Sequence, residues 1–177
     1  MLETAFNIDT SSIKFGSGVT KEILYEINRL SINKLLIITD RNVVDLPVSK
    51  FVTDELSKSK ISFEIYSNVE IEPTNESFMN VIEFSRKGGF DGFLAIGGGS
   101  SMDTAKAANL YTKYHDDFLD YVNAPIGLGK PVPGPVNPLI AIPTTSGTGS
   151  EVSGVSIFDY KPLGAKTGIA NKYLRPD

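Results

Sequence analysis

The run Gly97-Gly98-Gly99-Ser100-Ser101-Met102-Asp103-Thr104-Ala105-Lys106 follows the apolar stretch Phe93-Leu94-Ala95-Ile96 and opens a segment of small and apolar residues, Met102 to Tyr114. A buried strand that runs into three glycines and then a helix start is an arrangement for holding phosphate. Glycine lets the backbone approach a ligand closely, and the unpaired N–H groups of a first helical turn point at it. The helix dipole adds ~0.3–1 kcal/mol of attraction for an anion. Triple glycine also occurs in plain turns, and this run has neither the G-x-G-x-x-G spacing of a dinucleotide fingerprint nor the G-K-[ST] of a Walker loop. A second loop strengthens the nucleotide reading. The apolar run 138–142 is followed by Pro143-Thr144-Thr145-Ser146-Gly147-Thr148-Gly149-Ser150-Glu151, with five hydroxyl side chains and two glycines. Hydroxyls can donate to phosphate or ribose oxygens, although an ordinary Ser/Thr-rich loop has the same composition. Two such loops after two strands of one sheet would converge on one edge, where open α/β folds bind ligands.

Groups that move protons or hold metals are scarce. The sequence has no cysteine, which excludes disulfides, thiolate metal sites and a cysteine nucleophile. Its one histidine, His115, stands beside Asp116 and Asp117; neighbours in sequence do not face one point, so a solvated loop histidine is expected rather than a ligand. A net charge of −4 with no Lys/Arg block argues against a nucleic-acid surface. The N-terminus has neither a basic region nor an apolar core of a signal peptide, and no apolar run approaches 18 residues, so no membrane partner is expected.

The elements that must position these loops alternate along the chain. Ala5, Phe6 and Ile8, then Ile13 and Phe15, suggest a short N-terminal β-hairpin. Val19, Ile23, Leu24 and Ile27 mark one face of a helix, with Ser17 as its expected N-cap. The continuous apolar run Lys34 to Thr39 predicts a parallel strand buried on both faces, ending in Asp40. Asp40 is placed to accept ribose hydroxyls, and equally to close a turn or cap a helix. Val48, Phe51, Val52 and Leu56 predict a helix with Pro47 in its first turn. Residues 61–66 alternate as a strand near a sheet edge, and Thr74 is expected to cap a helix that Gly88-Gly89 stops. One or two further helical turns are expected over 116–121. Residues 124–138, with five of the ten prolines, read as an extended surface connector, and 155–158 and 167–170 as short strands. The order predicts one α/β domain with a parallel sheet covered on both faces.

Gly97–Lys106 together with Pro143–Glu151 resembles the iron-containing, or group III, alcohol dehydrogenases. Phe15-Gly16 and Thr39-Asp40 fall in the order of that family's N-terminal half. Residues 69–74, 106–111 and 117–127 are similar to one branch, the hydroxyacid-oxoacid transhydrogenases. The resemblance covers nearly the whole chain. It implies a Rossmann-like domain of the dehydroquinate-synthase kind over residues 1–177, binding NAD. It also implies hydride transfer from a hydroxyacid such as 4-hydroxybutyrate to 2-oxoglutarate, or from a simple alcohol. By the same resemblance Gly98, Gly99 and Ser100 hold the pyrophosphate, and Asp40 holds the adenosine ribose and favours NAD over NADP. Thr144, Thr145 and Thr148 line the cleft, and Lys166 reaches a ribose. Asp103 and Lys106 are open to a structural role.

The family's divalent metal, iron or zinc, is bound by an Asp and three His of a following helical domain. One histidine cannot complete that set, so the chain is expected to be an N-terminal half without catalytic or metal-binding residues, inactive alone. A homo-oligomer is expected. The expected compartment is the cytoplasm as the sequence stands, or the mitochondrion if a transit peptide precedes it. A glycerol-dehydrogenase or dehydroquinate-synthase relative is the runner-up, against which the 143–151 loop argues. A non-catalytic nucleotide-binding module is the reading from outside enzymes.

Overall fold

Leu35, Leu36, Ile37 and Ile38 are all buried because the strand they form, β1 (Lys34–Ile38), has a sheet neighbour on each side and helices on each face. In the computed structural model, which describes residues 10–177, the sheet order is β2 (Ser62–Tyr66), β1, β3 (Gly92–Gly97), β4 (Leu139–Pro143), all parallel. The pleat sorts the side chains. Leu35, Ile37, Leu94 and Ile96 face α1 (Ile23–Arg29) and α2 (Pro47–Ser57), packing on Ile23, Ile27, Val52 and Leu56. Leu36, Ile38, Phe93 and Ala95 face α3 (Asn75–Gly88) and α4 (Gly99–Lys113), packing on Val81, Met102, Ala105 and Ala108. The expected edge position of the 61–66 strand is borne out, and the exposure of Ser62, Glu64 and Ile65 follows from it.

A second sheet lies outside these layers. β5 (Val155–Tyr160) and β6 (Ala165–Ala170) pair as an antiparallel hairpin. Phe158 and Ile169 pack with Phe78 and Ile82 of α3 and Leu110 and Tyr111 of α4. α4 is therefore covered on two sides, by the parallel sheet and by the hairpin.

Thr74 caps α3 as expected. Its hydroxyl accepts from Ser77 N at 3.1 Å, and Ser77 Oγ accepts from Thr74 N at 2.8 Å, a reciprocal capping box. Gly89 ends the helix at φ 64°, a left-handed conformation that glycine adopts freely. Thr74→Ala should lower stability by about 1 kcal/mol, read as a reduced urea midpoint at unchanged m-value.

Four expectations change. Ser17 does not cap the first helix: Gly18, at φ 76°, turns the chain into a 3₁₀ segment, Val19–Glu22, that leads into α1. Residues 116–121 are not helical. Leu128 N, Gly129 N and Lys130 N donate to the carbonyls of Leu119, Val122 and Asp120, folding this stretch back on the proline-rich one. That connector is not wholly at the surface either, since Val132 is buried and Asn137 N donates to Asn109 Oδ1 at 3.1 Å. The expected hairpin's first strand lies outside the described residues, and residues 10–15 carry no strand.

Candidate functional site

Strand order reverses between β1 and β3, since the chain leaves β1 for β2 on one side and returns to β3 on the other. The carboxyl ends of such strands flank a crevice that helices on opposite faces cannot close. Asp40 stands two residues beyond β1 and Gly97 ends β3. Asp40 Oδ2 lies 3.7 Å from the point where a Cβ on Gly97 would sit. Asp40 Oδ1 accepts from Asn42 N at 2.8 Å and Val43 N at 3.1 Å. One Asp40 oxygen thus closes a turn, and the other is turned toward the glycines.

Gly97 has φ 151°, and a side chain there would collide with the Ser101 hydroxyl, so glycine is required. Gly98 is the N-cap of α4, with no side chain capping it and no acidic residue in the first turn. The hydroxyls of Ser101 and Thr39 are buried and without a hydrogen-bond partner. An uncapped helix N-terminus with a buried, unsatisfied hydroxyl beside it fits a pyrophosphate. Ser100 Oγ accepts from Glu72 N at 3.2 Å and keeps its own proton to donate. Glu72 itself has φ 55°, so the 70–73 segment is bent sharply beside the glycine turn.

The hydroxyl-rich loop meets this turn directly. Thr144 N donates to Gly97 O at 3.0 Å. Thr145 Oγ1 lies 3.2 Å from a Cβ placed on Gly98, and Thr148 Oγ1 lies 2.7 Å from one on Gly99. Thr144, Thr145 and Thr148 are otherwise exposed. The structure thus gathers Asp40, Gly98, Gly99, Ser100, Thr144, Thr145 and Thr148 at one sheet edge. Lys166 is not gathered with them by any direct contact. It is exposed on β6 and pairs with Asp159 at 3.0 Å, a contact that raises its pKa above the usual lysine range.

Two cavities adjoin the crevice. One, of about 670 Å³, lies between the start of the described chain and β4, lined by Phe15, Gly16, Ile140, Ile142 and Thr145 among others. The other, about 710 Å³, lies beyond Asp40 and is walled by Arg41, Tyr66, Asn68, Val69 and Phe84. Among the described residues no three His, Cys, Asp or Glu side chains gather where a metal could sit. His115 Nε2 lies 3.0 Å from Thr112 O on the surface, and Asp116 accepts from Tyr121.

A buried polar network lies just behind the crevice. Lys106 is fully buried, with Nζ donating to Ser150 O at 2.7 Å, Ser150 Oγ at 2.6 Å and Val155 O at 2.8 Å. Ser150 Oγ donates to Asp103 Oδ1 at 2.6 Å, and Ile157 N donates to Asp103 Oδ2 at 3.1 Å. Burial pushes the Lys106 ammonium down to about 8 and the Asp103 carboxyl above its ordinary value, in each case against their mutual attraction. Ser150 carried no special signal in the sequence beyond its place in the loop. The spacing of Asp103 and Lys106 on one helix face was the only hint.

Comparison with known proteins follows the same lines. The family model for iron-containing alcohol dehydrogenases matches residues 10–177. The chain is 55% identical to the mitochondrial hydroxyacid-oxoacid transhydrogenase of Rattus norvegicus over 173 residues, covering 97% of this chain and 37% of that protein. Its counterpart in Homo sapiens is 51% identical with the same coverage. Among solved structures, the NADH-dependent butanol dehydrogenase A of Thermotoga maritima superposes with a TM-score of 0.87 at 26% identity, over 97% of this chain and 42% of that one. A sulfoacetaldehyde reductase from Bifidobacterium kashiwanohense, solved with NAD+, gives 0.85 at 28% identity, over 99% and 45%. The chain therefore spans 37% to 45% of the length of these relatives. It belongs to the iron-containing alcohol dehydrogenase family.

Proposed function

We propose that residues 1–177 form the NAD-binding domain of a metal-dependent oxidoreductase that moves hydride from a hydroxyacid such as 4-hydroxybutyrate to 2-oxoglutarate. The observation that carries the reading is the meeting of the glycine turn and the hydroxyl loop at the strand-order reversal. The identity to the transhydrogenases supports the choice of substrate class. Bound NAD would supply the hydride carrier.

This chain's own groups bind and orient. The N–H groups of the first turn of α4 and the Ser100 hydroxyl would take the pyrophosphate, with the Ser101 hydroxyl as a further donor beneath it. Asp40 Oδ2 would accept from the adenosine ribose. Thr144, Thr145 and Thr148 would line the wall facing the glycines. Lys166 would reach a ribose only by leaving Asp159. The described residues do not fit a catalytic iron or zinc, so the metal would be held by a helical domain of the complete protein. No acid or base step is assigned to this domain. A homo-oligomer in mitochondria is the matching assembly and compartment, the latter because the rat and human transhydrogenases are named as mitochondrial.

Cofactor choice tests the reading. Asp40→Asn retains the turn-closing oxygen and removes the charge that opposes a 2′-phosphate. It should narrow the NAD-over-NADP preference about tenfold, equivalent to ~1.4 kcal/mol, mostly by tightening NADP. Titration calorimetry with both cofactors measures this. Parallel weakening of both would make Asp40 a turn residue only.

A further inference from the structure

We propose that Lys106, Asp103 and Ser150 are positioning residues of the cofactor cleft, a buried clamp that holds the hydroxyl-rich loop over the glycine turn. Its functional meaning rests on the NAD-domain reading above.

The atoms of the clamp are matched one for one. An ammonium has three N–H donors, and Lys106 finds three acceptors: Ser150 O, Ser150 Oγ and Val155 O. The Ser150 hydroxyl, having accepted from Lys106, donates onward to Asp103 Oδ1, and that carboxylate balances the Lys106 charge from 3.7 Å away. Ser156 Oγ adds a bond to Asp103 O at 2.7 Å. An apolar side chain of similar volume would fill the space of Lys106 without desolvating a charge. What it could not do is fix the direction and distance of a loop end.

The elements joined by the clamp define its role. Asp103 and Lys106 project from α4, the helix whose first residue is Gly99. Ser150 closes the loop whose beginning, Thr144, is tied to Gly97 O. Between these two ties Thr144 to Thr148 are exposed side by side. With both ends fixed to the β3–α4 unit, Thr145 and Thr148 are held over Gly98 and Gly99. With the Ser150 end released, the loop can pivot about Thr144 and the cleft loses its second wall.

Ser150→Ala breaks the relay to Asp103 and leaves the loop end held by the single bond from Lys106 Nζ to Ser150 O, while Lys106 keeps two carbonyl acceptors and Asp103 keeps Ile157 N. The readouts are amide hydrogen exchange across the chain, the urea midpoint, and NAD affinity by calorimetry. Exchange at the bonded amides of the loop end, Ser150 and Val152, should quicken about tenfold with the β1 and β3 amides unchanged. The NAD Kd should rise about tenfold under conditions where the urea curve shows the variant fully folded, and Ser150→Thr should restore both exchange and affinity. Asp103→Asn, which keeps an acceptor for Ser150, is a second variant expected to loosen the same loop. Unchanged loop exchange in both variants, or equal quickening throughout the chain, would overturn the clamp. Quickened loop exchange in the variants, alongside a parent chain that gives no heat with NAD, would support the clamp and refute the NAD-domain reading.

Discussion

Saturating NAD should raise the melting temperature of this chain by roughly 5–11 °C, and Gly99→Val should abolish the shift. Ligand at about 100 times Kd stabilises a folded state by ~2.7 kcal/mol, and for a domain of this size each kcal/mol moves the midpoint by about 2–4 °C. Gly99 is the first residue of α4, and a Cβ there would lie 2.7 Å from Thr148 Oγ1. A branched side chain there would intrude on the space that a pyrophosphate at this turn needs. In the structure it first strikes Thr148, so the variant displaces the facing loop as well. Differential scanning fluorimetry with and without NAD reads the result. A Gly99→Val chain shifted as far as the parent would remove the pyrophosphate from this turn.

The second large effect is on stability. Phe158→Ala should cost about 3–5 kcal/mol, the range for deleting a fully buried aromatic ring. Phe158 is 1% exposed, with ring centroids 5.2 Å from Phe78 and 5.3 Å from Phe118. It joins the β5–β6 hairpin to α3 and to the loop after α4. Urea titration should show the loss, and a change under about 1 kcal/mol would mean that the hairpin is not packed as described.

The parallel sheet was readable because its inner strands are buried on both faces. Residues 35–38 and 93–96 are unbroken apolar runs, the pattern a strand takes when helices cover it above and below. The site loops were readable for a related reason, since glycines and hydroxyls directly after such runs fall at one sheet edge. Three things were hidden. Ser17 looked like a cap, but Gly18, free to adopt a left-handed turn, starts a 3₁₀ segment between Ser17 and the helix. Residues 116–121 contain helix-compatible side chains, yet their fold is set by cross-links to 128–130 that no local pattern announces. Lys106 was open to a structural role, but its full burial was not legible, because that burial is created by residues about fifty positions away.

The double covering of α4 has a consequence for how cofactor preference could change. Ten of its 15 residues are buried, and they include Ala105, Ala107 and Ala108, where a larger side chain would press on a neighbour. The helix behaves as a fixed support, and its N-terminal amides offer the same charge and geometry to any diphosphate. Mutational drift or laboratory selection toward a different dinucleotide is therefore confined to the more open rims of the crevice: Asp40 with Arg41, residues 70–72 and the 144–148 loop. A library randomised at those rims should return folded variants with altered ligand range, whereas one randomised along α4 should return mostly unfolded chains.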